Sequence, residues 1–220
     1  MKFYNELIDR IKNGIPTKLS RWGDGEWGCM YGVTGQNRDG NTYLSELGEK
    51  LRAILNSQPQ YYMGLQYGVL YNEQLRDYVF DKMFKLSNIN WVFGDVLHVA
   101  SEKGLLRNFT NALKDRYVVM IGAEYFKGLS TKAGRILDAM CITPENNSFN
   151  SNDSIFYCAE QYYMKDPVFL VAAAMNSNVI IDKLPDSVTA IDIGSVFDPY
   201  LGRPRASYQH KMKVKFSDLW

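Results

Sequence analysis

The chain has 220 residues, 46% of them hydrophobic and 22% charged, with a formal net charge of +1 at pH 7. That length suits one domain, or one domain with an insertion, and is enough to bury a sizeable core. The near-neutral charge argues against a dedicated nucleic-acid binder, which would be visibly basic. No apolar run reaches the roughly 18 residues of a membrane span.

In chain order, Phe3, Leu7, Ile8 and Ile11 share one helical face, and Asn13-Gly14 ends that helix. Residues 16–22 read as a short strand. The nonapeptide Ser20-Arg-Trp-Gly-Asp-Gly-Glu-Trp-Gly28 follows as a glycine-rich acidic turn. Residues 33–42 are polar and glycine-rich, hence a loop, and one placed to act as a mobile lid. Leu44, Leu47, Leu51, Ile54 and Leu55 mark a helix. A strand is expected over 61–65, a helix over 73–84 with Leu75, Tyr78, Val79 and Met83 inward, and helix over 94–113 with a break near Gly104. The continuous apolar run 117–121 reads as a buried strand. A helix over 154–164, a strand over 168–172, a helix over 174–184 and a last strand over 188–193 complete the pattern. Strands alternating with helices imply an α/β fold, a Rossmann-like, mostly parallel sheet with helices on both faces. Residues 1–220 read as one domain with a basic C-terminal segment, 203–220.

Asp24 and Glu26 stand two residues apart with Gly25 between them and Gly23 and Gly28 outside. Mg²⁺ and Mn²⁺ take carboxylate oxygens and keep waters and substrate phosphates as further ligands. Glycine lets a phosphate approach the backbone closely. The same acidic pair would also suit a solvated turn. Its place just past a strand end favours a site, because ligands of open α/β sheets bind beyond the carboxyl ends of the strands. Arg21 either contacts a phosphate or holds a carboxylate.

Arg21-Trp-Gly-Asp-Gly-Glu26 resembles the Arg-x-Gly-Asp-Gly-Glu signature of the GT-D-fold glycosyltransferases. The resemblance continues through Tyr62-Met-Gly-Leu-Gln-Tyr67, Tyr117-Val-Val-Met-Ile-Gly-Ala-Glu124 and Ala190-Ile-Asp-Ile-Gly-Ser195. In the last of these, Ser195 stands where the family often has histidine. The resemblance implies a metal-dependent transferase whose Asp24 and Glu26 hold Mn²⁺ or Mg²⁺ against a nucleotide-sugar diphosphate, in the first instance a UDP-sugar. It also implies an acceptor on a cell-surface glycan or lipid-linked saccharide; the alternatives are a different metal-dependent enzyme acting on nucleotides or phosphates and a non-catalytic nucleotide-sugar-binding module.

Three strands end in small residues before an expected helix start, so Gly122, Gly194 and Ser195 join Arg21, Gly23 and Gly25 as candidate nucleotide contacts. The alternative is that small residues are needed wherever a strand turns into a helix. None of these three turns is a Gly-x-Gly-x-x-Gly or a Gly-Lys-Ser/Thr loop, which argues against a classical dinucleotide enzyme or a P-loop NTPase. Candidates for the base that deprotonates an acceptor hydroxyl are Asp198, Glu124 and His98. Each also has an ordinary structural reading: a turn residue, an exposed acid and a packed histidine. Trp22, Trp27 and Tyr67 either stack on a ligand or belong to the core.

Arg203, Arg205, Lys211, Lys213 and Lys215 fall within thirteen residues, with His210 among them. They read either as a solvated tail or as the contact for an anionic acceptor, whether phospholipid surface, phosphorylated glycan or nucleic acid such as modified DNA. Cys29, Cys141 and Cys158 show no metal-ligand spacing. Their odd number, with no apolar core of a signal peptide near Met1, leads to the expectation of reduced thiols in a cytoplasm. Oligomeric state is not legible.

Overall fold

The computed structural model describes residues 1–131 and 136–219; Trp220, the last residue of the basic segment, lies outside them. Helix α1 (Lys2–Lys12) buries Tyr4, Leu7, Ile8 and Ile11 along one side. The chain then turns through Gly14, whose φ of +65° suits a residue without a Cβ. It enters β1 (Lys18–Trp22), which is buried along its whole length. Helices α2 (Asp24–Tyr31) and α3 (Ser45–Ser57), strand β2 (Tyr62–Leu65), helix α4 (Glu73–Lys85) and strand β3 (Asn90–Phe93) follow. The break near Gly104 separates α5 (Val96–Glu102) from α6 (Leu106–Leu113). The second half runs β4 (Tyr117–Ala123), α7 (Gly128–Thr131), β5 (Ala139–Thr143), α8 (Asn152–Glu160), β6 (Pro167–Ala172), α9 (Ser177–Lys183) and β7 (Thr189–Asp192).

The described strands form one sheet of order β3-β2-β1-β7-β6-β4-β5, and every pairing in it is parallel. Side chains alternate across it. Val118 and Met120 of β4 face the layer of α1, α5 and α6, whereas Val119 and Ile121 face α8 and α9. Helices α2, α3 and α4 cover the β1–β3 side around Trp22, Trp27 and Met63. Both tryptophans are fully buried, with ring centroids 5.9 Å apart. Of the two readings for these residues, the structure supports the core.

Two strands escape the sequence reading, β3 and β5. Both are edge strands, short and partly exposed. An edge strand lacks the continuous apolar run by which β4 and β6 are recognised. Two further expectations are corrected. The acidic turn at Asp24 is the first turn of a helix. Cys141 on β5 and Cys158 on α8 are joined by a disulfide, which leaves Cys29 as the buried free thiol. No helix among the described residues is long and apolar enough to cross a membrane.

Candidate active site at the carboxyl ends of the strands

Why α2 begins at Asp24 sets the geometry of the site. Gly23, the N-cap, has extended backbone, and its N–H donates to Glu26 Oε2 at 2.8 Å, so the third helical residue caps the helix in reverse. Asp24 and Glu26 in the first turn also complement the positive end of the helix dipole. A Cβ at Gly23 would lie 1.7 Å from Gln66 Oε1, so any larger residue would displace the Gln66 amide. The result is an exposed Asp24 beside a Glu26 only 9% exposed.

Both acids line a cavity of about 190 Å³ built from residues at or beyond the carboxyl ends of β1, β2, β4, β5, β6 and β7. This is where ligands of open α/β sheets bind. Arg21 reaches across it from β1, donating from Nε to Gly94 O at 3.1 Å. Its Nη2 lies 3.4 Å from Asp95 Oδ1 and its Nη1 3.8 Å from Asp192 Oδ1. Of its two expected roles, the structure shows the holding of carboxylates. Asp95 was missed because it follows the unrecognised β3. It also accepts from Gln66 Nε2 and from the Tyr67 N–H. Tyr67 itself stays 54% exposed.

The charge balance of the cavity is acidic. Burial pushes Glu26 up to about 7, against the lowering effect of its backbone hydrogen bonds. Burial likewise raises Asp192 to about 6, with Arg21 opposing. Among the described residues no Lys or Arg forms an ion pair with Glu26. A cation joining Glu26 would therefore favour its ionised form. No group of three or more His, Cys, Asp or Glu among the described residues is arranged as a cation cage. Two carboxylates with room for water and phosphate nevertheless match how Mg²⁺ is commonly held.

The remaining candidates separate clearly. Gly25, Gly194, Ser195 and Asp198 line the same cavity as Arg21, Asp24 and Glu26. Gly194 has φ +49°, and a Cβ there would sit 1.8 Å from Arg21 Nη1, so the guanidinium packs against the turn where a side chain would otherwise be. Gly122 does not border the cavity; the space for its missing Cβ is taken by Met120 and Phe126. Glu124 points away, exposed and paired with Lys127 at 2.8 Å. His98 is half-buried on α5 behind Ser195, with Nε2 3.4 Å from Ser195 Oγ. The helix starts expected after β4 and β7 are short 3-10 turns; β4 leads through its turn into α7, and β6 leads through Ala174–Asn176 into α9.

Asp198 is fully buried and committed. It accepts from Tyr125 Oη at 2.9 Å and forms an ion pair with Arg205 Nε at 2.8 Å. Arg203 is paired with Glu145 at 2.7 Å. The expected solvated tail is thus corrected for its first part, which folds back onto the cavity and brings Arg205 from one end of the sequence to Asp24 at the other. Lys211, Lys213 and Lys215 remain exposed. The 33–42 loop contributes Asn37 and Asp39 to the wall. Asn41 and Asn147 clasp it by reciprocal side-chain to backbone hydrogen bonds of 2.8–2.9 Å, and Arg38 donates to the Arg205 carbonyl.

No family model matches the chain, and no curated protein matches it. Two solved structures share its fold. One is described as "The highly conserved domain of unknown function 1792 has a distinct glycosyltransferase fold", with a TM-score of 0.64. The other is a selenomethionine-substituted domain of unknown function 1792, with a TM-score of 0.63. Each is 17% identical over 96% of this chain and 88% of that one. At that identity the likeness is one of fold, and the molecule is an α/β protein with a glycosyltransferase-like fold.

Proposed function

We propose that the protein is a metal-dependent glycosyltransferase moving a sugar from a nucleotide-sugar, first a UDP-sugar, to a hydroxyl acceptor. The observation that carries this reading is the meeting of Asp24, Glu26, Arg21 and Asp192 in one cavity at the carboxyl ends of a parallel sheet. The shared fold supports it.

Asp24 and Glu26 would hold Mn²⁺ or Mg²⁺, which when bound neutralises charge gathering on the departing nucleoside diphosphate. Arg21 keeps Asp192 and Asp95 in register around the reacting groups. The acceptor hydroxyl gives its proton to a carboxylate of the wall. Asp192, with Oδ1 fixed by the Gly194 N–H at 2.9 Å and its pKa raised to about 6, meets the needs of a base near neutral pH. Asp198 serves instead to hold Arg205 in the wall. The acceptor is a glycan or lipid-linked saccharide, with modified DNA as the alternative polyanion for the exposed lysines.

The test is turnover of a panel of nucleotide sugars with Mn²⁺ and a saccharide or hydroxymethylated duplex DNA. Transfer that survives EDTA overturns the metal assignment. Nucleoside diphosphate released without transfer to any acceptor makes the protein a hydrolase.

A further inference from the structure

Three side chains from distant elements meet behind the cavity wall: His98 of α5, Ser195 after β7 and Gln209 of the C-terminal segment. Gln209 is 1% exposed. Its Oε1 accepts from the backbone N–H groups of Arg205 and Ala206, at 2.8 and 3.1 Å. Those two donors settle the amide orientation, because an NH₂ could not face them. Nε2 therefore points at Ser195, donating to its carbonyl at 2.8 Å and lying 3.3 Å from its Oγ.

His98 reaches the same Oγ with Nε2 at 3.4 Å, while its Nδ1 is buried without a partner among the described residues. Burial, helped by the nearby Arg21 guanidinium, holds the ring well below its ordinary pKa, so it is neutral and carries one N–H. If that hydrogen were on Nδ1, the protein would bury an orphan donor. If it is on Nε2, only a lone pair goes unpaired, and orphan donors are the rarer and costlier kind. The hydrogen thus belongs on Nε2, directed at Ser195 Oγ. The serine oxygen then accepts from His98 and from the second Nε2 hydrogen of Gln209, which lies between Ser195 Oγ at 3.3 Å and Tyr208 Oη at 3.4 Å. Its own proton is left for whatever fills the cavity, which Ser195 lines.

We propose that His98 and Gln209 set Ser195 as a one-way hydroxyl donor to the cavity, and that the group it meets is a phosphate oxygen of the bound ligand. A phosphate oxygen only accepts at neutral pH, so it matches a group that only donates. The Arg21 guanidinium packed on Gly194 puts positive charge beside the same spot. The choice of phosphate deepens the glycosyltransferase reading and rests on it only in naming a nucleotide diphosphate as the natural ligand. Ser195 is the binding residue; His98 and Gln209 are positioning residues.

Side-chain ¹⁵N NMR of the metal-free protein reads the tautomer directly. The chain has two histidines, and His210→Asn assigns the signals. The Nε2–H pattern for His98 at pH 7 is expected; the Nδ1–H pattern or an imidazolium overturns the proposal. Calorimetry with pyrophosphate and Mg²⁺ tests the ligand. Ser195→Ala should weaken binding about tenfold, the effect of one hydrogen bond to a charged group. His98→Leu should weaken it less, and His98→Gln, which can return an N–H to Oγ, should restore most of the affinity. Undiminished binding by Ser195→Ala, or no pyrophosphate binding by the parent, rules out the phosphate contact. If these effects appear but no nucleotide sugar is turned over, the Ser195 assignment stands and the glycosyltransferase reading falls.

Discussion

The two ends of the sheet hold cavities of opposite character. At the amino ends of the strands a cavity of about 570 Å³ is lined by Arg10, Lys18, Tyr61, Tyr62, Asp182 and Asp186 among others. Its groups are matched one to one. Lys18 pairs with Asp186 at 2.7 Å, Tyr61 donates to Asp182 at 3.2 Å, and Arg10 donates to Thr17 at 2.8 Å. The cavity at the carboxyl ends is smaller, yet it gathers Asp24, Glu26, Asp39, Glu145, Asp192 and Asp198 against Arg21 and Arg205. Three of those acids are pushed up by burial to about 6 or 7. Size therefore does not mark the site. An excess of buried acid does: Arg21 and Arg205 offset Asp192 and Asp198, whereas Glu26 has no Lys or Arg paired with it among the described residues, and a bound cation would relieve its burial.

The largest effect should separate the two ends by activity. Asp24→Asn and Glu26→Gln are each expected to lower kcat/KM for sugar transfer about 100- to 1,000-fold, the scale of losing an electrostatic group that acts on the transition state. Lys18→Met and Asp186→Asn, at the balanced end, should change it by less than about twofold. Similar losses at both ends, measured by steady-state kinetics, would erase the distinction.

Stability against pH sharpens it next. A carboxyl whose folded pKa lies above its unfolded value binds its proton more tightly in the fold. Its stabilising effect is full below the unfolded pKa and is lost as pH rises through the folded one. For Glu26 the window runs from 4.5 to about 7, on the order of 3 kcal/mol for a fully buried group. Glu26→Gln should therefore flatten the fall in melting temperature between pH 5 and pH 8 relative to the parent without metal. Mn²⁺ should raise the parent's melting temperature more at pH 8 than at pH 5. Parallel melting curves for parent and variant across that range would show that Glu26 carries no such strain.

A smaller effect is expected where the C-terminal segment closes the wall. Asp198→Asn removes the ion partner of Arg205 Nε and should raise the donor KM about tenfold while kcat falls less. Amide exchange over residues 33–42, which Arg38 ties to the Arg205 carbonyl, should quicken in the same variant and slow on adding nucleotide sugar with Mn²⁺. Exchange indifferent to both would deny the loop a closing role.

The smallest effect belongs to the exposed lysines. Replacing Lys211, Lys213 and Lys215 together by Gln should raise the acceptor KM a few-fold and flatten its dependence on salt, leaving donor affinity and melting temperature unchanged. An acceptor KM equal to the parent's at every salt concentration would leave these residues as a solvated surface.

Much of the fold was legible in the chain. The helix stripe of Leu7, Ile8 and Ile11 and the continuous apolar runs of β4 and β6 are local patterns, and each element formed where its pattern lay. The Asp24–Glu26 pair and Arg21 were legible too, since a strand end followed by acids among glycines brings them together within one turn. Other features depended on contacts between residues far apart in sequence. The edge strands β3 and β5 exist because β2 and β4 offer open hydrogen-bonding edges, not because their own side chains demand a sheet. Asp95 joins the site only because β3 carries it there, and the disulfide of Cys141 with Cys158 only because α8 packs across β5. Gly122 looked like Gly194 in sequence; the neighbours that fill the missing Cβ space, Met120 in one case and Arg21 in the other, tell them apart. Arg205 reaches Asp198 and the cavity of Asp24 because the segment after β7 folds back over the strand ends. Sequence spacing determines what lies along one element, whereas burial and charge pairing between elements are decided only once the chain has packed.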